Sequence, residues 1–246
     1  MTQETVLNIG DTTTLDKPVS HAVIPPAHKF ADVIHIDIGY GCSSGLGGVK
    51  YALFAVDRAT RHRYIYPISS LAEDTLPSFH NLLMDLGQVP RRIITDFDHK
   101  LMGKTVRNYL QEKGCILESA PPKHQHQNGL VERNWRTLVR MARSWLNSSL
   151  LPSSFWFHAI KRACEIKNYL PVNLKGLITT PHELVYHVKP DMRCLFPMFS
   201  VAYIDKEEDS NTQRGNFSSL TLRVIVIGKS SIEINLIYKC DNILHT

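Results

Sequence analysis

The sequence predicts an α/β fold, in which a mixed five-stranded sheet is flanked by helices and followed by a small C-terminal β-rich appendage. Two observations predict this class. Short runs rich in Val, Ile, Tyr and Phe alternate with segments of helical periodicity, and turn residues separate the two kinds of segment. The composition agrees, because 43% hydrophobic and 21% charged residues are typical of a globular protein.

The elements follow in order along the chain. Apolar residues at three- and four-residue intervals between Leu76 and Leu86 predict a first helix, and 103–113 predicts a second. Two more helices are predicted from about Asn128 and from near Pro152. The strand-like segments are 32–38, 51–57, 62–68, 91–96 and 115–120.

The chain divides into four predicted regions. Residues 1–30 lack periodicity and are predicted to be a flexible lead-in, and 31–173 form the α/β core. A connecting segment, 174–194, leads to a small β-rich module at 195–246, either complete or truncated, that contains VAYID, LRVIVIG and IEINLIY.

Charge and cysteine content narrow the class of protein. The net charge of +5 permits an acidic partner such as nucleic acid but does not require one. The cysteines lack a C-x-x-C pair, so the sequence indicates neither a disulfide framework nor a thiolate zinc site. Without a signal peptide or an apolar stretch of about 18 residues, we expect an intracellular protein that does not span a membrane and is not secreted.

The stretch PPKHQHQNGLVERNWRTLVRMARSWL, residues 121–146, places one acid among arginines. On a helical wheel of about 100° per residue, Glu132 shares the polar face with the arginines, opposite an apolar face that includes Val131 and Leu138. One interpretation is an i, i+4 pair between Glu132 and Arg136 on a solvated face. Another is a site at which cations and phosphates meet. The arginines are Arg133, Arg136, Arg140 and Arg143.

Two further acids stand in apolar strands. Asp37 lies inside HIDIG and Asp96 ends IITD, where burial of a carboxylate without compensation is costly. In one interpretation, each of these acids ends a strand, where it caps a turn or pairs with a nearby basic residue. In the other, each is a ligand for Mg²⁺, which prefers oxygen ligands and keeps several waters. Two such ions about 4 Å apart support in-line phosphoryl transfer.

These residues resemble a known family. Asp37 in HIDIG, Asp96 after IIT, and Glu132 in QNGLVERNWRTL after 35 intervening residues are similar to the acidic triad of retroviral and retrotransposon integrases. The segment APPKHQHQNGLVERNWRTLVRMARSWL, and LPSSFWFHAIKRACEIKNYLPVN with TPHELVYHVKP after it, resemble copia-type LTR retrotransposon integrases. The resemblance covers about residues 31–205 and implies an RNase H-like fold for the core.

The resemblance also implies an activity. Asp37, Asp96 and Glu132 would be the catalytic, metal-binding acids of a polynucleotidyl transferase that uses two Mg²⁺ or Mn²⁺ ions. In that family the 3′-hydroxyl of the element's DNA attacks a target phosphodiester without a covalent protein intermediate. The implied partners are element and target DNA and, in the active state, further copies of the chain. The implied location is the nucleus or the cytoplasm.

DNA contacts are expected in the loop before the catalytic helix and along that helix. His124 and His126 form a His-x-His pair that is an alternative zinc site, although no third ligand lies nearby in the sequence. The alternative for the arginines is that their face of the helix is exposed to solvent and binds no DNA. The residues expected to bind DNA are Lys123, His124, Gln127, Asn128, Arg133, Arg136 and Arg140.

The sequence also departs from the family pattern. The family usually has Asn-Gly after its second Asp, whereas here Phe97 and Asp98 follow Asp96, so Asp98 is an alternative ligand. Asp96 is preferred, because it ends the apolar strand and has the spacing of the family. The zinc-binding His/Cys module of the family is missing from the sequence, and we expect a fragment of a polyprotein. Three functions stay open: an integrase core, a catalytically inactive nucleic-acid-binding remnant of a polyprotein, and an RNase H-like nuclease or transposase.

Overall fold

A five-stranded mixed sheet forms the centre of the protein. The structure, a computed structural model, describes residues 29–95, 103–119, 129–174, 176–195, 197–205, 221–229 and 235–239. The sheet has the order β3-β2-β1-β4-β5, in which β1 to β3 are antiparallel neighbours and β4 and β5 run parallel to β1. The predicted α/β class and mixed sheet are confirmed. The strands are β1 (Val33–Tyr40), β2 (Tyr51–Asp57), β3 (Arg63–Ile68), β4 (Arg92–Thr95) and β5 (Ile116–Ser119).

Helices cover both faces of this sheet. The fourth helix begins at Trp156 rather than near Pro152, because Pro152 has an extended backbone and a short 3-10 turn, Ser153–Phe155, intervenes. The helices are α1 (Thr75–Leu86), α2 (Lys104–Glu112), α3 (Gly129–Ser149), α4 (Trp156–Tyr169) and α5 (Pro181–Tyr186).

The alternation of side chains along the strands divides the core into two layers. Ile34, Ile36 and Ile38 of β1 point to one face, where they pack with buried residues of α1 and α2. Phe54 of β2 points to the other face, where it packs in a cluster with buried residues of α3 and α4. The two helix pairs therefore lie on opposite sides of the sheet.

The C-terminal segments form a three-stranded antiparallel sheet with the order β10-β9-β8. Ile225 and Ile227 of this sheet belong to the same buried cluster as α4. Phe199, which precedes the sheet, meets Phe155 edge to face at a ring-centroid distance of 5.9 Å. The predicted β-rich appendage is thus present and packs on the core. Its strands are β8 (Val201–Asp205), β9 (Thr221–Lys229) and β10 (Asn235–Lys239).

The segment between core and appendage contains elements that the sequence analysis did not assign. A short hairpin, β6 (Val172–Leu174) and β7 (Leu177–Thr179), is followed by α5. The hydroxyl of Thr180 caps α5 by accepting a hydrogen bond of 3.0 Å from the N–H of Glu183. In the part of the chain that the structure describes, no helix has the length and apolar character needed to cross a bilayer.

Candidate active site

Asp37 lies on the face of the sheet that α3 covers. Its neighbours Ile36 and Ile38 point to the opposite face, into the layer formed with α1 and α2. The Asp37 side chain is half-buried, and its Oδ1 accepts a hydrogen bond of 2.8 Å from the backbone N–H of Ile38. Burial of a carboxylate in this apolar strand is costly, and hydrogen bonds or a cation offset the cost.

Trp135 of α3 packs against the sheet beside Asp37. A Cβ at Gly39 would collide with Cζ2 and Cη2 of the Trp135 indole, so only glycine leaves room for this ring. The indole also packs on Phe54, with ring centroids 5.6 Å apart, and Phe54 is the residue paired with Asp37 across β1 and β2. Trp135 therefore fixes the position of α3 against the part of β1 that carries Asp37.

The opposite flank of α3 is held by a buried arginine of β3. Arg63 Nε donates a hydrogen bond of 2.7 Å to Oδ1 of Asn134, and Arg63 Nη1 donates one of 3.0 Å to the backbone carbonyl of Lys167 in α4. Asn134 in turn donates a hydrogen bond of 2.8 Å to the carbonyl of Leu130 one turn earlier. This flank of α3 therefore faces β3 and α4.

These two contacts fix the side of α3 on which Glu132 lies. At about 100° per residue, Glu132 is about 60° from Trp135 around the helix axis and about 160° from Asn134. Glu132 thus lies on the β1 flank of the helix, at its exposed edge and in its first turn. The structure brings Glu132 to the side of α3 that faces the strand of Asp37.

The second predicted acid is not described. Thr95, the last residue of β4, is in register with Ile36, the residue before Asp37, and the chain continues from Thr95 into Asp96. Among the described residues no group of three or more His, Cys, Asp or Glu side chains could hold a metal ion, and the predicted triad includes one acid outside them. The predicted site residues outside the described residues are Asp96, Lys123, His124, Gln127 and Asn128.

The arginines predicted to bind DNA are on the solvent side of α3. Arg133, Arg136 and Arg140 are exposed, and Arg133 Nε donates a hydrogen bond of 3.0 Å to the carbonyl of Gly129. In the described part of the chain, Glu132 forms no salt bridge with Arg136, so the structure does not support the i, i+4 pair. The exposed guanidinium groups remain accessible to phosphates.

Sequence reasoning missed the residues that position α3. Gly39 stands inside an apolar strand, and a glycine there is a recognised sign of close approach by another group. Arg63 gave no comparable signal, because its acceptors in Asn134 and Lys167 lie 71 and 104 residues away in the sequence.

Comparison with known proteins finds relatives among retrotransposon polyproteins. The chain is 27% identical over 207 residues to the retrovirus-related Pol polyprotein from transposon TNT 1-94 of Nicotiana tabacum, which covers 80% of the chain. It is 28% identical over 177 residues to that from transposon RE2 of Arabidopsis thaliana, which covers 71% of the chain. The chain spans only 15% and 12% of the lengths of these relatives. No family model matches the chain.

Solved structures with the same fold come from retroviral integrases. A chain of the simian T-cell lymphotropic virus intasome in complex with PP2A regulatory subunit B56 gamma matches with a TM-score of 0.57 at 14% identity, over 93% of this chain and 82% of that one. The HTLV-2 integrase catalytic core domain in complex with magnesium matches with a TM-score of 0.50 at 17% identity, over 64% of this chain and 98% of that one. The protein is therefore a homologue of retrotransposon Pol polyproteins and has the α/β fold of retroviral integrase catalytic cores.

Proposed function

We propose that this chain is the catalytic core of a retrotransposon integrase, a polynucleotidyl transferase that joins the 3′-hydroxyl of the element's DNA to a target phosphodiester. The main supporting observation is that Glu132 lies on the flank of α3 facing β1, the strand in which Asp37 is half-buried. Homology to retrotransposon Pol polyproteins supports the same activity.

Asp37, Asp96 and Glu132 are the residues that would hold two divalent cations, Mg²⁺ or Mn²⁺. The donor chemistry fits, because carboxylate oxygens are the ligands that these ions prefer and Asp37 offers one from an apolar strand, where a cation offsets the cost of burial. When bound, such ions activate an attacking hydroxyl and stabilise the leaving oxygen. The relative from HTLV-2 was solved in complex with magnesium.

The other predicted residues would bind and orient DNA. Arg133, Arg136 and Arg140 present exposed guanidinium groups along α3, and such groups bind phosphates with two parallel hydrogen bonds. The polar loop residues before α3, namely Lys123, His124, Gln127 and Asn128, would contact a DNA end. Trp135 has a positioning role, since it holds α3 and therefore Glu132 against β1.

A strand-transfer assay with Mg²⁺ or Mn²⁺ tests the proposal. Asp37→Asn, Asp96→Asn and Glu132→Gln are each expected to lower joining at least about 100-fold, since even changes around metal ligands cost 10–100-fold. Glu112→Gln, an equal change of charge in α2 on the other face of the sheet, is the matched control and should keep activity. Joining that survives in the three variants would refute the assignment.

A second candidate function is nucleic-acid binding without strand transfer. The sequence Asp96-Phe97-Asp98 supports it, because the family usually has Asn-Gly after its second Asp. Wild-type protein that binds DNA but joins no strands with either metal would favour this function, and cut strands without joined products would indicate a nuclease. If Asp98→Asn abolishes joining while Asp96→Asn does not, Asp98 is the ligand.

The partners that we propose are element and target DNA. The active form that we propose is a homo-oligomer, and the structures of two relatives are of an intasome and of a trimeric form. Because the proposed substrate is DNA, we propose that the protein acts in the nucleus or in the cytoplasm.

A further inference from the structure

The turn between β2 and β3 concentrates positive charge next to the start of α3. Within the sequence RATRHR it carries Arg58, Arg61 and Arg63, and Arg63 is hydrogen-bonded at 2.7 Å to Asn134, the neighbour of Arg133. We call Arg58, Arg61, Arg63 and Arg133 the hairpin cluster. Three of its members lie within six residues of one hairpin, and the fourth comes from a helix 70 residues after Arg63 in the sequence.

The acid nearest to this cluster is already engaged inside the protein. Asp57 is fully buried, with Oδ1 accepting a hydrogen bond of 3.0 Å from the N–H of Ala31 and Oδ2 accepting two of 2.7 Å from the N–H and hydroxyl of Thr60. Among the described ion pairs, none involves a member of the hairpin cluster. In the described part of the chain, no member of the cluster therefore forms an ion pair with a carboxylate, and Asp57 acts on Arg61 only at longer range.

The arginines of the cluster lie close enough together to repel one another. The pKa of Arg61 is lowered by burial and further by the positive charges of Arg58 and Arg133, and the negative charge of Asp57 offsets this lowering only in part. Arg58 Nη1 is buried without a hydrogen-bond partner among the described residues. An anion held between the accessible guanidinium nitrogens of these residues would offset the repulsion.

The position of the cluster indicates the kind of anion. Arg133 is exposed and begins the row that Arg136 and Arg140 continue along α3 over about 10 Å, and Arg61 lies close enough to Arg133 to sense its charge at the start of this row. Asp57, at the base of the turn, is paired with Ile34, three residues from Asp37, which separates the turn from Asp37 by about 10 Å along the sheet. An elongated row of cations fits a polymer with regularly repeated negative charges, which is the phosphodiester backbone of DNA.

We propose that the β2–β3 turn is a second DNA-contacting element, in which Arg61 and Arg58 bind backbone phosphates beside those held by the arginines of α3. This inference rests on the proposed function, because it takes DNA to be the substrate that lies along α3. It assigns the hairpin a binding role, and it gives the hairpin no part in the chemical step.

The test measures binding of a duplex DNA to the full chain by fluorescence anisotropy in EDTA between 50 and 200 mM salt. The slope of log K against log salt reports the number of phosphates contacted, about 0.9 per contact. Arg61→Gln is expected to reduce the slope by about 0.9 and Arg58→Gln with Arg61→Gln by about 1.8. Arg107→Gln, an equal loss of charge in α2 on the opposite face of the sheet, should leave it unchanged.

The variant Arg61→Lys distinguishes the loss of a positive charge from a disturbance of the fold. It keeps a cation at the position and is expected to keep the slope of the wild type, whereas a merely structural role of Arg61 would make both substitutions equally harmful. Equal slopes in wild type and Arg61→Gln would overturn the inference, as would an equal loss in Arg61→Lys or a wild-type protein that does not bind DNA. A failure of the strand-transfer assay, by contrast, bears only on the proposed function, because the binding assay contains no metal.

Discussion

Replacing Gly39 by alanine places a methyl group where the Trp135 indole lies. The added Cβ would collide with Cζ2 and Cη2 of that ring, and it would lie 2.6 Å from Cε2. The indole cannot withdraw freely, because it also packs on Phe54 at a centroid distance of 5.6 Å. We therefore expect Gly39→Ala to destabilise the fold and to shift α3, and with it Glu132, relative to Asp37.

The size of the effect follows from three contributions. Overpacking of a core costs about 1–3 kcal/mol, and weakening the pair of Trp135 with Phe54 costs about 0.5–1.5 kcal/mol. Replacing a glycine inside a strand by alanine stabilises the fold by about 0.5–1 kcal/mol. This gain roughly cancels the second contribution. The net loss is about 1–3 kcal/mol, or about 2 to 12 °C in Tm for a chain of this length.

Urea unfolding followed by circular dichroism measures this loss. Gly129→Ala is the matched control, because a Cβ at Gly129 meets no atom within 4 Å, and it is expected to cost nothing. Trp135→Phe provides a smaller ring, so the double variant with Gly39→Ala should show a favourable coupling of about 1 kcal/mol. The reasoning fails if Gly39→Ala is as stable as the wild type or if the two changes are additive.

Two further predictions concern buried polar residues near α3. Arg63→Met leaves the acceptor of Asn134 and a carbonyl of α4 without their donor, and we expect a loss of about 1–3 kcal/mol in urea unfolding; an unchanged midpoint would contradict this. Burial, with the charges of His182 and Arg63, lowers the pKa of His62 to about 3. Since the unfolded chain protonates His62 near pH 6.5, stability falls as the pH drops from about 6.5 toward 3, by about 2 kcal/mol at pH 5. In His62→Phe the difference between unfolding free energies at pH 7 and pH 5 should shrink by this amount, whereas a substitution at the exposed His80 should not change it.

The sequence predicted the elements whose signals are local. The five strands of the sheet and four of the five helices each carry their own apolar periodicity, and the end of α1 is marked by Gly87, whose φ of 64° suits glycine. The hairpin of β6 and β7 escaped prediction because strands of three residues are too short to show a period. The start of α4 was misplaced because the turn at Ser153–Phe155 resembles a helix start in sequence.

Part of the candidate site was also predictable. A carboxylate inside an apolar strand is unusual wherever it occurs, so Asp37 stands out in the sequence alone, and Glu132 stands out among arginines. The hairpin cluster was not recognised, because RATRHR has the composition of an ordinary turn. The concentration of positive charge at this turn includes Arg133, which approaches the turn only in the folded chain.

The sequence by itself determined the kinds of elements, their order and the acidic residues that mark the site, because these depend on periodicity and composition over a few residues. Only the tertiary structure decided that Trp135 sits over Gly39 and that Arg63 holds Asn134, and thus which flank of α3 faces β1. Helical periodicity specifies which residues share a face, but the rotation of that face against a sheet is set by interlocking side chains from distant parts of the chain.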